Sequence, residues 1–202
     1  MYIRHIPSVV RSGLSKAIWS IPDSKSVYLT FDDGPTEGTP AILEILQAYQ
    51  AKATFFLLGE QVEQHPELLE RLKREGHGIG NHGYSHLDGW RTPHVQYLEN
   101  LAKGKVLTGS SDFRPPYGRM SPGQWRRVST TERIVMWSHM PGDFDAGVDI
   151  DSCYSFIQST LEPGAIIVLH DNAKSLTTVL GLLPLLLSLF KEKGLKIEPL
   201  PC

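Results

Sequence analysis

The chain has 202 residues, enough for one domain with a substantial apolar core. Its 20 lysines and arginines against 22 aspartates and glutamates leave a net charge of -2, which gives no indication of nucleic-acid binding or of attachment to an anionic membrane surface. The only two cysteines, Cys153 and Cys202, lie far apart in the sequence, so neither a disulfide framework nor a zinc knuckle is expected.

The first predicted element is an amphipathic helix in the N-terminal segment, residues 1–25. Val10, Leu14 and Ile18 recur at helical spacing after Pro7, so this segment is expected to pack on the domain, with a membrane-surface role as the alternative. Basic residues interrupt it, and it contains no continuous apolar stretch of signal-peptide length. No stretch of the chain approaches the ~18 apolar residues of a membrane-spanning helix. The sequence therefore predicts a cytoplasmic protein without an integral membrane segment.

The remaining residues, 26–202, are predicted to form a single domain in which strands and helices alternate. The candidate strands lie at 27–31, 53–57, 78–80, 112–114, 134–137, 166–169 and 195–198. Helices are predicted to begin at Thr39-Pro40, at Pro66, at Ser121-Pro122 and at Asp149 or Asp151, and a leucine-rich run at 182–190 is predicted as a buried helix. Seven β/α units predict a parallel sheet closed into a barrel, although an open doubly wound sheet has the same local pattern.

Two adjacent carboxylates, Asp32 and Asp33, follow the predicted strand at 27–31, and Gly34-Pro35 marks a sharp turn behind them. Adjacent residues of a strand point to opposite sides, so the pair is expected to have two roles. One carboxylate can bind a metal while the other stays free as a base. The alternative interpretation is an ordinary turn, since Asp and Gly are frequent turn formers.

Two histidines, His82 and His86, follow the predicted strand at 78–80 with a spacing of four residues. On one helical turn this spacing would place both imidazoles on the same face, able to reach a single ion. A pair of histidines alone more often fills a surface or a core. Two histidines with one carboxylate and open positions form a recurring catalytic metal site, so Asp33, His82 and His86 are the predicted metal ligands.

Two further segments carry functional groups. The stretch 113–118 combines a cation, a rigid turn and an aromatic residue, and the apolar run 165–169 reads as a buried strand that ends on a histidine. The polar residues that follow the C-terminal ends of predicted strands are Asp32, His82, Arg114, Asp143 and His170. Barrels of the β/α type build their active sites at that end of their strands, which favours the barrel over the open sheet.

With these segments the chain resembles the polysaccharide deacetylase family, carbohydrate esterase family 4, the catalytic domain shared by chitin and peptidoglycan N-deacetylases. Residues 30–35 match the family's first motif, and residues 82–86 match its His-x-x-x-His motif with Gly83 where Ser or Thr is usual. Residues 114–117 match its Arg-x-Pro-aromatic motif, and residues 168–170 match its Leu-x-His motif with Val168 for Leu. The resemblance covers roughly residues 26–200 and implies an α/β fold, the distorted, incomplete (β/α)7 barrel of this family.

One motif of the family is altered in this chain. The family usually has Asp-x-x-Asp-Trp, whereas this chain has Met140 for the first Asp, retains Asp143 and has Phe144 for Trp. The resemblance aligns Asp143 as the residue that orients His170, with a Gly-Asp turn as the alternative. The two substitutions put the wall of the substrate groove in question more than the metal site. The neighbouring His139 is expected to be local structure and not a ligand.

The resemblance implies a metal-dependent hydrolase that removes N-acetyl groups from N-acetylglucosamine units of a glycan, of the chitooligosaccharide or peptidoglycan type. It implies zinc, with cobalt or nickel as substitutes; metal-bound water attacks the amide, with Asp32 as general base and His170 as general acid. In the family, the aromatic residue of the third motif, here Tyr117, contributes its backbone N–H to the oxyanion, and Arg114 and Pro115 are grouped with it as oxyanion and substrate-binding residues. Arg114 is expected to hold Asp32 ionised, with a purely structural salt bridge as the alternative.

Two other functions stay open on the sequence. One is hydrolysis of another small amide or O-acyl compound, and the other is non-catalytic glycan binding, which the altered motif favours. The aromatic residues that could stack on sugars are Tyr84, Trp90, Tyr117 and Phe144, although such residues also fill cores and rims. Neither the natural polymer nor the oligomeric state is indicated.

Overall fold

The computed structural model describes residue 4, residues 16–22 and residues 24–201, in which strands and helices alternate along the chain. The strands are β1 (Ala17–Ile18), β2 (Ser26–Asp32), β3 (Thr54–Leu57), β4 (Gly78–Asn81), β5 (Asp112–Phe113), β6 (Arg133–Val135), β7 (Ile166–His170) and β8 (Lys196–Ile197). The helices are α1 (Thr39–Ala48), α2 (Gly59–Gln64), α3 (Pro66–Arg74), α4 (His94–Thr108), α5 (Pro122–Val128), α6 (Ile150–Thr160) and α7 (Leu176–Glu192), with a 3-10 turn at Pro116–Gly118. Every strand predicted from the sequence is present, with its ends shifted by a residue or two.

The strands form one parallel sheet in the order β1-β6-β5-β4-β3-β2-β7, and β8 pairs with the start of β2. The sheet curls until the chain beyond β6 reaches β7 at the other edge. There the Ser138 N–H donates to the Ile166 carbonyl at 3.0 Å, and the Val168 N–H donates to the His139 carbonyl at 3.0 Å. The expected α/β fold, a distorted and incomplete β/α barrel, is therefore confirmed, and the open doubly wound sheet is excluded.

Alternation along the strands decides which side chains face the inside of the barrel. In β2, Leu29 and Phe31 pack in the apolar layer between the sheet and the helices, whereas Tyr28 packs in the inner apolar cluster. Strand β7 alternates in the same way. Since every second residue of a strand shares a face, Asp32 and His170, the last residues of β2 and β7, lie on the inner side.

Capping residues set the predicted helix starts. In α5 the Gln124 N–H donates to the Ser121 side chain, and the Ser121 N–H donates to the Gln124 side chain. Asp149 caps α6 by accepting from the Ser152 N–H at 2.7 Å, which decides between the two aspartates considered for that role. Helix α1 begins one residue before the predicted position, because Gly38 and not Thr39 is its N-cap.

The long helix α4 was not predicted from the sequence. Its buried positions are Tyr97, Leu101, Gly104 and Thr108, of which two are not large apolar residues, while Val106 on the same helix is exposed. The helix therefore has no continuous apolar stripe for a pattern to detect. The short α2 was not predicted either.

The N-terminal segment differs from its prediction where it is described. Ala17–Ile18 form β1 beside β6, whereas the sequence predicted the end of an amphipathic helix there, because pairing with an exposed sheet edge outweighs a weak helical pattern. The rest of that prediction, including Val10 and Leu14, falls outside the described residues, as does Cys202. Arg4 lies 4.4 Å over the ring of Phe156, so the chain does contact the domain at that point. The division into residues 1–25 and 26–202 stays a prediction.

Among the described helices, none combines the length and the apolar character that crossing a membrane requires. The leucine-rich run 182–190 lies inside α7 and is largely buried, as predicted, and the helix continues through Pro184.

Candidate active site

The end of β2 turns both predicted carboxylates toward one cleft. Asp32 lies on the inner face of the barrel, and strand alternation alone would point Asp33 to the opposite side, as the sequence predicted. Instead Asp33 adopts a left-handed conformation with φ of 77°, which is uncommon for a residue other than glycine, and both side chains line the same cleft. The two carboxylates thus face the same cleft, because the backbone leaves the strand conformation between Asp32 and Asp33.

The predicted histidine pair is present, but not on a helix. His82 follows the last residue of β4, and a loop carries the chain to His86. Gly83 opens this loop with φ of 88°, and its N–H donates to the side-chain oxygen of Asn81 at 2.8 Å. The tilted rings of His82 and His86 are 5.1 Å apart. The spacing of four residues therefore brings the imidazoles together through a loop that α4 supports, since the Tyr84 N–H donates to the Asn100 carbonyl.

The three predicted metal ligands converge in the structure. The Nε2 atoms of His82 and His86 lie 3.6 and 3.4 Å from Oδ1 of Asp33, and one ligand atom from each residue falls within 4.8 Å of the others. Oδ1 of Asp33 is buried and has no hydrogen-bond partner among the described residues, although a buried acceptor normally has one. A divalent cation fits here because it would satisfy that oxygen, and two histidines with one carboxylate are a donor set typical of catalytic zinc.

His82 is in the tautomer and charge state that a ligand needs. Its Nδ1 is 2.8 Å from the Arg114 carbonyl, which can only accept, so Nδ1 carries the proton and Nε2 presents its lone pair toward Asp33. Burial, followed by the nearby His86, lowers the pKa of His82 to about 3. The imidazole is therefore neutral at pH 7.

Arg114 and Asp32 form a buried ion pair across the inside of the barrel. The Arg114 Nη1 donates to Oδ1 of Asp32 at 2.7 Å and to the Thr30 hydroxyl at 2.7 Å, and Nη2 donates to the Met136 carbonyl at 2.9 Å. The guanidinium also lies 4.1 Å over the ring of Phe56. Burial lowers the pKa of Arg114, and the charge and hydrogen bond of Asp32 oppose that shift.

His170 stands beside Asp32, as its register partner on the neighbouring strand β7, and is held by Asp143. One carboxylate oxygen of Asp143 accepts from the His170 N–H at 2.8 Å, and the other lies 3.1 Å from the ring Nδ1. Burial opposes protonation of His170, but the charge and hydrogen bond of Asp143, with Asp33 and Asp32, raise its pKa to about 9. The imidazole is thus protonated at pH 7, with Nδ1 engaged by Asp143.

A cleft of about 420 Å³ connects these groups. Its lining includes Asp32, Asp33, His86, Tyr117, Arg119, Met140, Phe144 and His170. The ring of Phe144 lies 5.0 Å edge-on from His170, so both altered positions of the fourth motif do form the wall of the groove. A second cleft of about 740 Å³ meets the first at Asp33, His86 and Asn172 and continues past Glu37 and His65.

Two residues predicted for the site, and one predicted to be local structure, lie outside the cleft. Arg114 and Pro115 are buried behind the cleft wall, so of the three residues grouped as oxyanion and substrate-binding only Tyr117 lines the cleft, with φ of 58°. His139 is buried and contacts the Ser138 hydroxyl and the Thr160 carbonyl, consistent with local structure.

Two polar residues beyond His170 were not identified from the sequence. The Asn172 side-chain amide donates to Oδ2 of Asp33 at 2.7 Å and so orients the carboxylate whose other oxygen faces the histidines. Asp171 is fully buried, accepts from the hydroxyls of Thr36 and Thr39, and burial raises its pKa to about 6. A Cβ on Gly34 would lie 2.4 Å from Asp171 Oδ2, so only glycine fits there. Both residues directly follow His170 at the end of a predicted strand, and this position is the sequence feature that could have identified them.

Comparisons of this chain with known proteins all identify one family. A family model described as polysaccharide deacetylase matches residues 20–132. The chain is 35% identical over 184 residues to a peptidoglycan-N-acetylglucosamine deacetylase of Bacillus cereus, covering 87% of this chain and 66% of that protein. It is 32% identical over 206 residues to a chitooligosaccharide deacetylase of a Bradyrhizobium species, covering 90% of this chain and 91% of that protein.

The fold agrees with a solved structure as well. A crystal structure of a peptidoglycan N-acetylglucosamine deacetylase in complex with 4-naphthalen-1-yl-N-oxidanyl-benzamide matches this chain with a TM-score of 0.86 at 34% identity, and the match covers 94% of each chain.

Proposed function

The chain belongs to the polysaccharide deacetylase family, and we propose that it is a metal-dependent hydrolase that removes N-acetyl groups from N-acetylglucosamine units of a peptidoglycan or chitooligosaccharide glycan. The observation that carries the proposal is the unpaired, buried Oδ1 of Asp33, which faces two imidazole nitrogens. The same cleft is lined by Asp32 and His170, which are each held by an opposite charge.

Asp33, His82 and His86 would hold a divalent ion, for which we propose zinc, and that ion would supply the Lewis-acid chemistry that polarises an amide carbonyl and lowers the pKa of water. Asp32 accepts the proton of the attacking water, and its ion pair with Arg114 fixes the carboxylate in position. His170 donates a proton from Nε2 to the departing nitrogen, because Asp143 engages Nδ1 and favours the imidazolium.

Tyr117 completes the proposed set. Its backbone takes a left-handed conformation in the 3-10 turn, and its ring packs edge-on at 4.4 Å against His86. We assign its backbone N–H to the oxyanion that forms when the amide carbonyl is attacked. Asn172 serves as a positioning residue, since it binds the Asp33 oxygen that does not face the histidines.

Acetate release from N-acetylglucosamine oligomers tests this function. Zinc-loaded protein is expected to release acetate, metal-stripped protein is not, and zinc is expected to restore release. Asp32→Asn removes the proton acceptor while retaining all three ligands, so we expect a loss of about 10²–10⁴ in kcat with zinc still bound.

The matched control is Asp151→Asn, an exposed carboxylate in the first turn of α6, which should retain full activity. Acetate release that survives metal stripping, or that survives Asp32→Asn, would contradict the assignment.

A further inference from the structure

Trp90 is a large aromatic residue left in solvent beside the cleft, with 67% of its surface exposed. A single exposed aromatic residue needs no explanation on a protein surface. This one, however, is fixed in position. Its indole N–H donates to the Met120 carbonyl at 3.1 Å, and its backbone N–H donates to the Asp88 carboxylate at 2.9 Å.

Arg119 joins Trp90 to the cleft. Its guanidinium lies 4.9 Å from the ring of Trp90 and 5.7 Å from the ring of Tyr117, and it donates to the second oxygen of Asp88 at 3.0 Å. Tyr117 in turn packs against His86. A continuous wall therefore runs from the metal ligand His86 through Tyr117 and Arg119 to Trp90, and Asp88 holds its outer two members together.

We infer that Trp90 and Arg119 form a binding platform for sugar units of the glycan beyond the one whose acetyl group is removed. This inference rests on the proposed function for its substrate class, and it adds a preference for longer oligomers over disaccharides.

The chemistry of the platform suits a pyranose chain. One face of the Trp90 ring is covered by Arg119, and its high exposure leaves the rest of the ring open to solvent. The C–H groups of a β-linked hexose form an apolar face that packs on such a ring, while its hydroxyl and acetamido groups find donors and acceptors in Arg119 and Asp88. Because the side chains are already held, little conformational entropy is lost when a sugar binds.

Calorimetric binding to zinc-loaded Asp32→Asn protein, in which turnover is stopped, tests the platform with the pentamer and the dimer of N-acetylglucosamine as probes. In Trp90→Ala we expect the preference for pentamer over dimer, measured as the ratio of their Kd values, to fall roughly tenfold. Trp90→Phe retains a ring and should restore most of the preference.

The control is Tyr49→Ala, an exposed aromatic residue at the far end of α1, which should leave the ratio unchanged. An unchanged ratio in Trp90→Ala, or a wild-type protein with equal Kd values for the two probes, would overturn the inference. Failure of the proposed function has a different signature: the pentamer preference would persist and depend on Trp90, while zinc-loaded wild-type protein would release no acetate.

Discussion

At the scale of single residues, each reacting group of the candidate site is paired with a buried opposite charge. Asp32 is bonded to Arg114, which holds the carboxylate in position, and His170 is bonded to Asp143, which favours the imidazolium. The two ion pairs therefore fix the position of a carboxylate that can accept a proton and of an imidazolium that can donate one.

Asp143→Asn should move the alkaline limit of activity. A general acid works while it is protonated, so activity is lost as the pH rises through the pKa of His170, about 9 in this structure. Removing the Asp143 charge lowers that pKa, and we expect the alkaline limb of the kcat/KM profile to move down by about 1–3 pH units. Profiles of wild-type protein and Asp143→Asn measure the shift.

Asp145→Asn is the control for this profile, because Asp145 lies two residues away and its side chain binds the Gly147 N–H instead. An alkaline limb at the same pH in wild-type protein and Asp143→Asn would mean that Asp143 does not set the protonation of His170.

At the scale of elements, helix α4 supports the loop that carries both histidines. Gly104 lets the helix approach this loop, since a Cβ there would lie 2.5 Å from the carbonyl carbon of Gly83 and 2.5 Å from the side-chain oxygen of Asn81. Gly83 itself lies between His82 and His86. The distance between α4 and the end of β4 therefore decides where the second imidazole is placed.

Gly104→Ala should both destabilise the protein and weaken its metal binding. A methyl group in a filled contact costs about 1–3 kcal/mol of unfolding free energy, more than the gain from replacing a helical glycine. We expect zinc affinity to fall about tenfold as the loop shifts. Urea denaturation of metal-stripped protein and competitive zinc titration give the two quantities.

Gly123→Ala in α5 is a matched control, because the nearest atom to its Cβ would be Nδ1 of His94 at 3.5 Å, an ordinary contact. It should be as stable as the parent protein or slightly more stable. Equal stability of Gly104→Ala and Gly123→Ala would contradict the proposal that close packing of α4 supports the histidine loop.

At the scale of the whole molecule, buried neutral histidine makes folding sensitive to acid. His77 lies between α3 and β4, its Nδ1 accepts from the Ala53 N–H at 3.2 Å, and the ring packs edge-on against Phe55. Burial, with the nearby charge of Lys52, lowers the pKa of His77 to about 4. The folded state therefore excludes a proton that the unfolded chain accepts.

Because the folded state excludes this proton, a fall in pH lowers the free energy of unfolding. The unfolded chain binds the proton below a pKa of about 6.5, so the contribution of His77 to stability is complete above that pH and declines as the pH falls toward 4. The loss by pH 4 is about 3 kcal/mol at 1.36 kcal/mol per unit. In His77→Gln, metal-stripped protein should lose less unfolding free energy between pH 7 and 4.5 than wild-type protein does. His94→Gln, at the exposed start of α4, should lose as much as wild-type protein.

Local sequence patterns predicted much of the fold. Runs of β-branched and apolar residues identified β2, β3, β6 and β7, because strands buried on both faces of a sheet are mostly apolar. Strands β4, β5 and β8 were also predicted, although they contain glycine or charged residues. Patterns did not identify α4, where Gly104 and Thr108 occupy buried positions, or β1, where pairing with a sheet edge decided the conformation. Those outcomes depend on neighbours that are distant in sequence.

The sequence by itself determined which residues we propose for the chemistry and at which end of the strands they lie, since residue type and strand position are local properties. Only the tertiary structure decided how they meet. The left-handed backbone at Asp33 brings adjacent carboxylates into one cleft, a loop braced by α4 brings His86 to His82, and Asn172 arrives from the end of β7 to orient Asp33. These arrangements depend on a local backbone conformation, on a helix that packs beside the loop, and on the pairing of β7 with β2, so no periodicity along the chain encodes them.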